Sequence, residues 1–179
     1  AETIAVGPML RSADDVVYVS PAVANYHARL QTRHPSRVIG HGVDTDLFSP
    51  STSGGTSERS AFGVNPGAKV ACFAGRCTAS KGIEIFIRMA QLRPDWQFLV
   101  AGHGPIDPTS YNVPNLQALG HVDRRTLAKV YRAADVLVLP SHSESFSLVV
   151  REALAAGTGV LCGDQILQTE PSLHEYVLA

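Results

Sequence analysis

Residues 134–157 read ADVLVLPSHSESFSLVVREALAAG. Val136–Leu139 is apolar at every position, so the strand it predicts is covered on both faces. Pro140 ends that run, because it has no amide hydrogen to give a ladder. A serine-rich turn follows. From about Phe146 to Ala156 the spacing predicts a helix, and Gly157 stands where helices stop. A strand apolar on both faces that feeds a helix is the repeating half of a parallel sheet.

The same unit recurs outward from this stretch. Val70–Phe73, Phe98–Ala101 and Val160–Cys162 are further apolar runs. Ile83, Phe86, Ile87 and Ala90 repeat at helical spacing, and Pro94 closes that helix. Asp123 is placed to cap a helix carrying Leu127, Val130, Tyr131 and Ala134 on one face. Continuously apolar strands alternating with helices predict an α/β fold with a doubly wound, Rossmann-like parallel sheet. Upstream, Val16–Val19 predicts a strand. Ser20 and Pro21 open a helix that carries Val23, Tyr26, His27 and Leu30, and Arg37–Ile39 predicts a second short strand. From Ser49 to Gly67 the chain is rich in Ser, Gly, Thr and Pro, which predicts a loop or linker. The predicted organisation is a strand–helix–strand piece over 1–48, a linker over 49–68 and an α/β domain over 69–179.

The chain has 179 residues, 45% hydrophobic and 17% charged, with a formal net charge of -1. That is a globular composition, with no bulk attraction to nucleic acid or to an anionic membrane. Cys72, Cys77 and Cys162 form no CxxC or Cys/His metal spacing, and read as small buried apolar residues suited to a reducing compartment. No apolar run approaches the roughly 18 residues of a membrane span. The sequence opens on Ala1 rather than Met, which reads as a piece of a longer chain.

In an open parallel sheet, ligands bind beyond the carboxyl ends of the strands. The residues just after each apolar run therefore carry the functional reading. After Phe73 come Ala-Gly-Arg-Cys-Thr-Ala-Ser-Lys-Gly, which places Gly75, Arg76 and Lys81 at a strand end. After Ala101 comes Gly102-His-Gly104-Pro, and after Leu139 a Ser/His/Glu loop that enters a helix near Ser147. Two cations, a glycine turn and a helix N-terminus on one edge suit a diphosphate. Glu144 and Glu152 would repel phosphate but suit sugar hydroxyls. Arg76 and Lys81 also read as solvated loop charges, and Glu144 and Glu152 as surface and helix-face carboxylates. His103 and His142 read as polar loop residues. The strength lies in co-occurrence at successive strand ends.

These residues, together with His41-Gly-Val-Asp-Thr-Asp-Leu-Phe-Ser-Pro50, make the stretch Val38–Ala156 resemble the group-1 family of retaining glycosyltransferases of GT-B fold. The His41–Pro50 segment is similar to the family's interdomain crossing motif. Phe73–Arg76 with Lys81-Gly82 is similar to its diphosphate-binding arginine and lysine, and Ala101–Pro105 to its glycine turn. Glu144 and Glu152, separated by seven residues, match its signature pair. The resemblance implies that Arg76 and Lys81 neutralise a donor diphosphate. It implies that Glu144 holds hydroxyls of the transferred sugar and Glu152 those of the ribose. Backbone at Ser147, Leu148 and Val149 would donate to the phosphates, and backbone around His121–Val122 would edge the base. It further implies that residues 1–48 end an acceptor-side domain and that 69–179 form a nucleotide-sugar-binding domain shortened at its C-terminus. No bound metal is implied. The acceptor would be a sugar, a lipid-linked or another small molecule. The expected setting is cytoplasmic, or peripheral to the membrane.

Three positions depart: the family usually has glycine where Ser145 and Ser147 stand, and proline where Gly159 stands. The expectation is a chain that binds a nucleoside diphosphate weakly, does not transfer sugar on its own and tends to self-associate. A non-catalytic nucleotide-sugar-binding module, another GT-B enzyme such as an epimerase, and an NAD-binding oxidoreductase are the alternatives. The spacing of Arg76 and Lys81 argues against the epimerase. The missing third glycine after Gly104 argues against the oxidoreductase.

Overall fold

A computed structural model describes residues 2–28, 36–65, 67–142 and 144–178. The elements run α1 (Glu2–Ser12), β1 (Val16–Tyr18), α2 (Pro21–His27), β2 (Ser36–Val38), α3 (Thr56–Ala61), β3 (Lys69–Ala74), α4 (Ile83–Leu92), β4 (Trp96–Ala101), β5 (Leu116–Gly120), α5 (Arg124–Ala133), β6 (Val136–Leu139), α6 (Leu148–Ala155), β7 (Gly159–Cys162) and α7 (Asp164–Thr169). Leu30, read onto the face of α2, lies outside the described residues.

The two strands near the N-terminus pair in parallel as a small sheet, with α2 between them in sequence. Ser20 caps α2 by accepting the Val23 amide, with Pro21 at the first helical position, as the sequence predicts. The main sheet has five parallel strands in the order β5-β4-β3-β6-β7. This is a doubly wound α/β sheet. From β3 the chain winds outward to β4 and β5, then returns to place β6 and β7 on the other side. The order reverses between β3 and β6, and such a reversal leaves a crevice at the carboxyl ends of the two strands.

The central strands are buried because every face is covered. Val70, Cys72, Phe73, Val100, Leu137 and Leu139 are at most 1% exposed. Phe86 on α4 packs between Phe73 and Phe98, with ring centroids 5.7 and 5.3 Å away. Tyr131 on α5 is fully buried and meets Phe48, itself fully buried, at 5.9 Å. Phe48 thereby binds the segment before the linker into the core of the larger sheet.

Several elements depart from the sequence reading, and helices α1 and α7 have no counterpart in it. Residues 49–68, expected as a loop or linker, contain helix α3. Its local sequence, TSERSA, has little apolar character, and tertiary contacts hold it. Arg59 donates to the Ala133 and Ala68 carbonyls at 3.0 and 3.1 Å and to the Asp135 carboxylate at 2.7 Å. Arg132 reaches back to Glu58 at 3.1 Å and to the Leu47 and Ser49 carbonyls at 3.2 and 3.3 Å. Strand β5 was not expected either. It is an edge strand whose positions are all partly or fully exposed, so it lacks the continuous apolar run of its neighbours. Helix α6 begins at Leu148 rather than near Phe146.

Arg59 holds two carbonyls and a carboxylate from two segments, the residue before β3 and the turn between α5 and β6. Arg59→Met removes those bonds while keeping the aliphatic stem, and is expected to destabilise the fold by about 2 kcal/mol in urea denaturation. A change within error would mean that α3 does not depend on this side chain.

Candidate functional site

The switch point places two loops together, residues 75–82 after β3 and residues 140–147 after β6. They are joined directly. The His142 amide donates to the Ser80 carbonyl at 2.9 Å, and the Ser141 hydroxyl donates to the same oxygen at 3.3 Å. Above this joint the Lys81 ammonium meets the Glu144 carboxylate at 2.6 Å. Both side chains are largely shielded, at 29% and 12% exposure, which strengthens their attraction over that of an open surface pair.

Beside this joint lies a cavity of about 350 Å³. Its wall comes from the end of β3 (Ala74, Gly75, Arg76), the turn after β4 (Gly102, His103), the turn after β5 (His121, Val122), Leu127 of α5 and Val149 of α6. Arg76 is exposed to it and makes no ion pair with any described residue. His103 and His121 meet edge to face at 5.6 Å on its wall. This brings together Gly75, Arg76, Gly102, Val122 and Val149 of the sequence-expected residues. Lys81 and Glu144 form the adjoining pair.

The glycine turn has a steric reason. Gly102 has φ +147, and a Cβ there would overlap the Gly75 carbonyl; a Cβ at Gly104 would overlap the Cys77 backbone. The Cys77 amide donates to the His103 carbonyl at 3.0 Å, and the Ile106 amide to the Cys77 carbonyl at 3.1 Å. The ends of β3 and β4 therefore interlock backbone to backbone. Gly104 serves that interlock and does not line the cavity.

The start of α6 differs from expectation. Ser147 occupies the N-cap position, yet its hydroxyl makes no capping bond. Its amide, expected to face a phosphate, donates to Glu170 Oε1 at 2.6 Å. The carboxylate already takes one of the free amides of the helix terminus, and the serine hydroxyl is buried without a hydrogen-bond partner. Glu170 also accepts from Arg151 Nη2 at 2.6 Å and Nε at 3.0 Å. Neither residue carried a sequence signal: Arg151 lies between the two signature glutamates without a reading of its own, and Glu170 follows a short helix far along the chain. Leu148, at the first helical position, is 38% exposed. Among the described non-glycine residues only Asn112 has positive φ, so Ser145 and Ser147 sit here without strain.

Glu152 lies on the second turn of α6, one turn below Val149 on the same face. It is 8% exposed and does not line the cavity itself. Tyr131 donates to it at 3.4 Å, and Arg124 approaches to 3.9 Å. Burial holds its carboxyl above the ordinary glutamate value, opposed by Arg124 and the Tyr131 hydroxyl. Among the described residues no cluster of three or more His, Cys, Asp or Glu could hold a metal ion. Nor is any helix there long and apolar enough to cross a membrane.

Fold and site thus define a doubly wound α/β domain with a cationic cavity at its switch point, the architecture of one half of a GT-B fold. The family model for glycosyl transferases group 1 matches residues 56–170, and the chain belongs to that family. A D-inositol 3-phosphate glycosyltransferase of Mycobacterium sp. (strain JLS) is 37% identical over 164 residues, covering 83% of this chain and 37% of that protein. Sucrose-phosphate synthase from Thermosynechococcus elongatus superposes with a TM-score of 0.76 at 30% identity, covering 90% of this chain and 44% of that one. HepE of Anabaena, solved in complex with UDP and glucose, has the same fold, with a TM-score of 0.76 at 23% identity, over 89% of this chain and 47% of that chain. The chain spans less than half the length of these relatives.

A raised carboxyl pKa means that ionising Glu152 disfavours the folded state. The corresponding stability is complete below the ordinary glutamate range and is lost as pH rises through the folded value. Glu152→Gln removes the ionisation. Relative to wild type its Tm is expected to rise as pH climbs from below the ordinary glutamate value, and to level off once Glu152 is ionised in the folded state as well. A constant difference throughout would show that burial does not shift this carboxyl.

Proposed function

We propose that the protein is a retaining glycosyltransferase and that the described five-stranded domain binds its nucleoside-diphosphate-sugar donor. The observation that carries this reading is the cationic cavity at the β3/β6 switch point, walled by Arg76, the glycine turn and the first turn of α6. Arg76 offers a positive charge with no ion-pair partner among the described residues, and Lys81 is a second cation at the edge of the same loop. Both stabilise the diphosphate as the bond between it and the anomeric carbon breaks and the acceptor oxygen bonds to that carbon on the same face. Glu144 accepts hydroxyls of the transferred sugar. Glu152 lies one turn below the cavity wall and accepts from the ribose. Backbone at Gly75, Gly102 and Leu148–Val149 approaches the phosphates, and His121–Val122 edge the base. The acceptor is a sugar, a lipid-linked or another small molecule held by a second domain, to which residues 1–48 contribute, so transfer is proposed for a protein that carries both halves. A metal is not needed in this reading, because two cations already face the leaving group. A cytoplasmic setting fits three cysteines that are all free and buried.

The reading is tested by calorimetric titration with UDP and GDP, beside uridine and guanosine. Arg76→Ala is expected to weaken diphosphate binding about tenfold and leave nucleoside binding unchanged. An unchanged diphosphate affinity would remove Arg76 from the donor site. Failure of wild type to bind any nucleotide would sink the reading as a whole.

A further inference from the structure

Two hydrogen-bond donors converge at the start of α6, the Ser147 amide at the helix terminus and the Arg151 guanidinium one turn along. Both are taken by the Glu170 carboxylate, whose side chain is only 3% exposed, while the Ser147 hydroxyl is buried without a partner. One of its oxygens takes the amide and the other takes the guanidinium. Val149, two residues beyond Ser147, already lines the cationic cavity. An amide and a guanidinium around one anion, with a free hydroxyl on the same serine, make a set that a phosphate fills at least as well as a carboxylate. A phosphate has the third acceptor oxygen that the orphan hydroxyl lacks here.

We infer that Glu170 is an internal stand-in for a donor phosphate, and that the diphosphate binds by displacing it. This rests on the donor-binding reading above. Two anions cannot share the seat, because at contact distance in a shielded site their repulsion outweighs what either gains from the donors. Displacement is local. Glu170 sits between α7 and the short 3-10 turn Pro171–Leu173, held by its amide to the Ile166 carbonyl at 2.8 Å. Arg151 does not depend on the carboxylate for its position, since its guanidinium lies 4.5 Å over the Phe146 ring. Once Glu170 leaves, that guanidinium remains at the seat and meets the phosphate. Donor affinity is therefore set partly by how firmly the chain holds its own carboxylate there.

Glu170→Gln tests this, because the amide keeps the length and an acceptor for Ser147 but loses the charge. In calorimetric titrations the variant is expected to bind UDP or GDP about tenfold more tightly than wild type, with uridine and guanosine unchanged. A side chain that served only to hold the fold would give the opposite sign. Equal or weaker diphosphate binding by a variant that keeps its circular dichroism spectrum overturns the inference and leaves the donor reading standing. If neither protein binds any nucleotide, the donor reading falls and this inference falls with it. Should the variant lose its fold, the wild-type chain decides. On saturation with UDP or GDP, the amide resonance of Ser147 and the Nε resonance of Arg151 shift if a phosphate replaces the carboxylate. Unmoved resonances overturn the exchange.

Discussion

Ser80 offers one carbonyl oxygen to two groups from the loop after β6, the His142 amide at 2.9 Å and the Ser141 hydroxyl at 3.3 Å. This joint ties together the loops that leave the sheet where its strand order reverses. Gly82 makes the approach possible, because a Cβ at that position would overlap the Pro140 backbone. Lys81 stands immediately before Gly82, and Glu144 follows the joint on the other loop. Their contact is thus a consequence of backbone proximity. The same economy governs the second turn: Gly102 lets β3 and β4 end against each other, and that contact is what leaves Arg76 turned to the cavity.

Charge at the site is arranged so that the chain satisfies most of it internally. Lys81 has Glu144, Arg151 has Glu170, and the amide at the start of α6 has the same Glu170. A cation that keeps contact with solvent can exchange such a partner for a ligand at modest free-energy cost, because a bare buried charge is disfavoured by desolvation. The Lys81 and Arg151 side chains, at 29% and 31% exposure, are open enough for that exchange, whereas the Glu152 side chain, at 11%, is held by Tyr131 and Arg124. The carboxylates at 144 and 152 therefore differ in kind. One is part of a pair that can open, and the other is a shielded group biased toward its protonated form.

Much of this was legible in sequence, and for a physical reason. Val70–Phe73, Phe98–Ala101, Val136–Leu139 and Val160–Cys162 are continuously apolar because they are the strands, or strand interiors, covered on both faces. The functional residue types lie just beyond those runs, where the fold leaves a crevice. Asp123, read as a helix cap, accepts the Thr126 amide at 2.7 Å. What could not be read was whatever tertiary contact decides. TSERSA becomes a helix because Arg59 and Arg132 pin it, and β5 pairs on one side only, so Gln117 faces outward without penalty. Serine suits a cap by residue type, yet at Ser147 the hydroxyl makes no capping bond and a carboxylate from a distant turn takes the amide. No local pattern carries a contact between positions 147 and 170.

Phe48 has no exposed surface and stands against Tyr131, and Arg132 holds the carbonyls on either side of it at Leu47 and Ser49. Everything from Asp44 onward thus moves with the larger sheet, because the Asp44 side chain and carbonyl accept the Leu47 and Phe48 amides. On the other side, Ile39 is still bonded to Tyr18 in the smaller sheet. A swing of the small sheet relative to the large one has only residues 40–43 in which to turn. Val43 packs against the core, which leaves Gly40, His41 and Gly42 as the pivot. The serine- and glycine-rich stretch after Pro50 looks flexible by composition but lies on the fixed side of that pivot. His41 meets the Phe146 ring edge to face at 5.5 Å, so rotation about the pivot would slide an imidazole across the ring on which Arg151 rests.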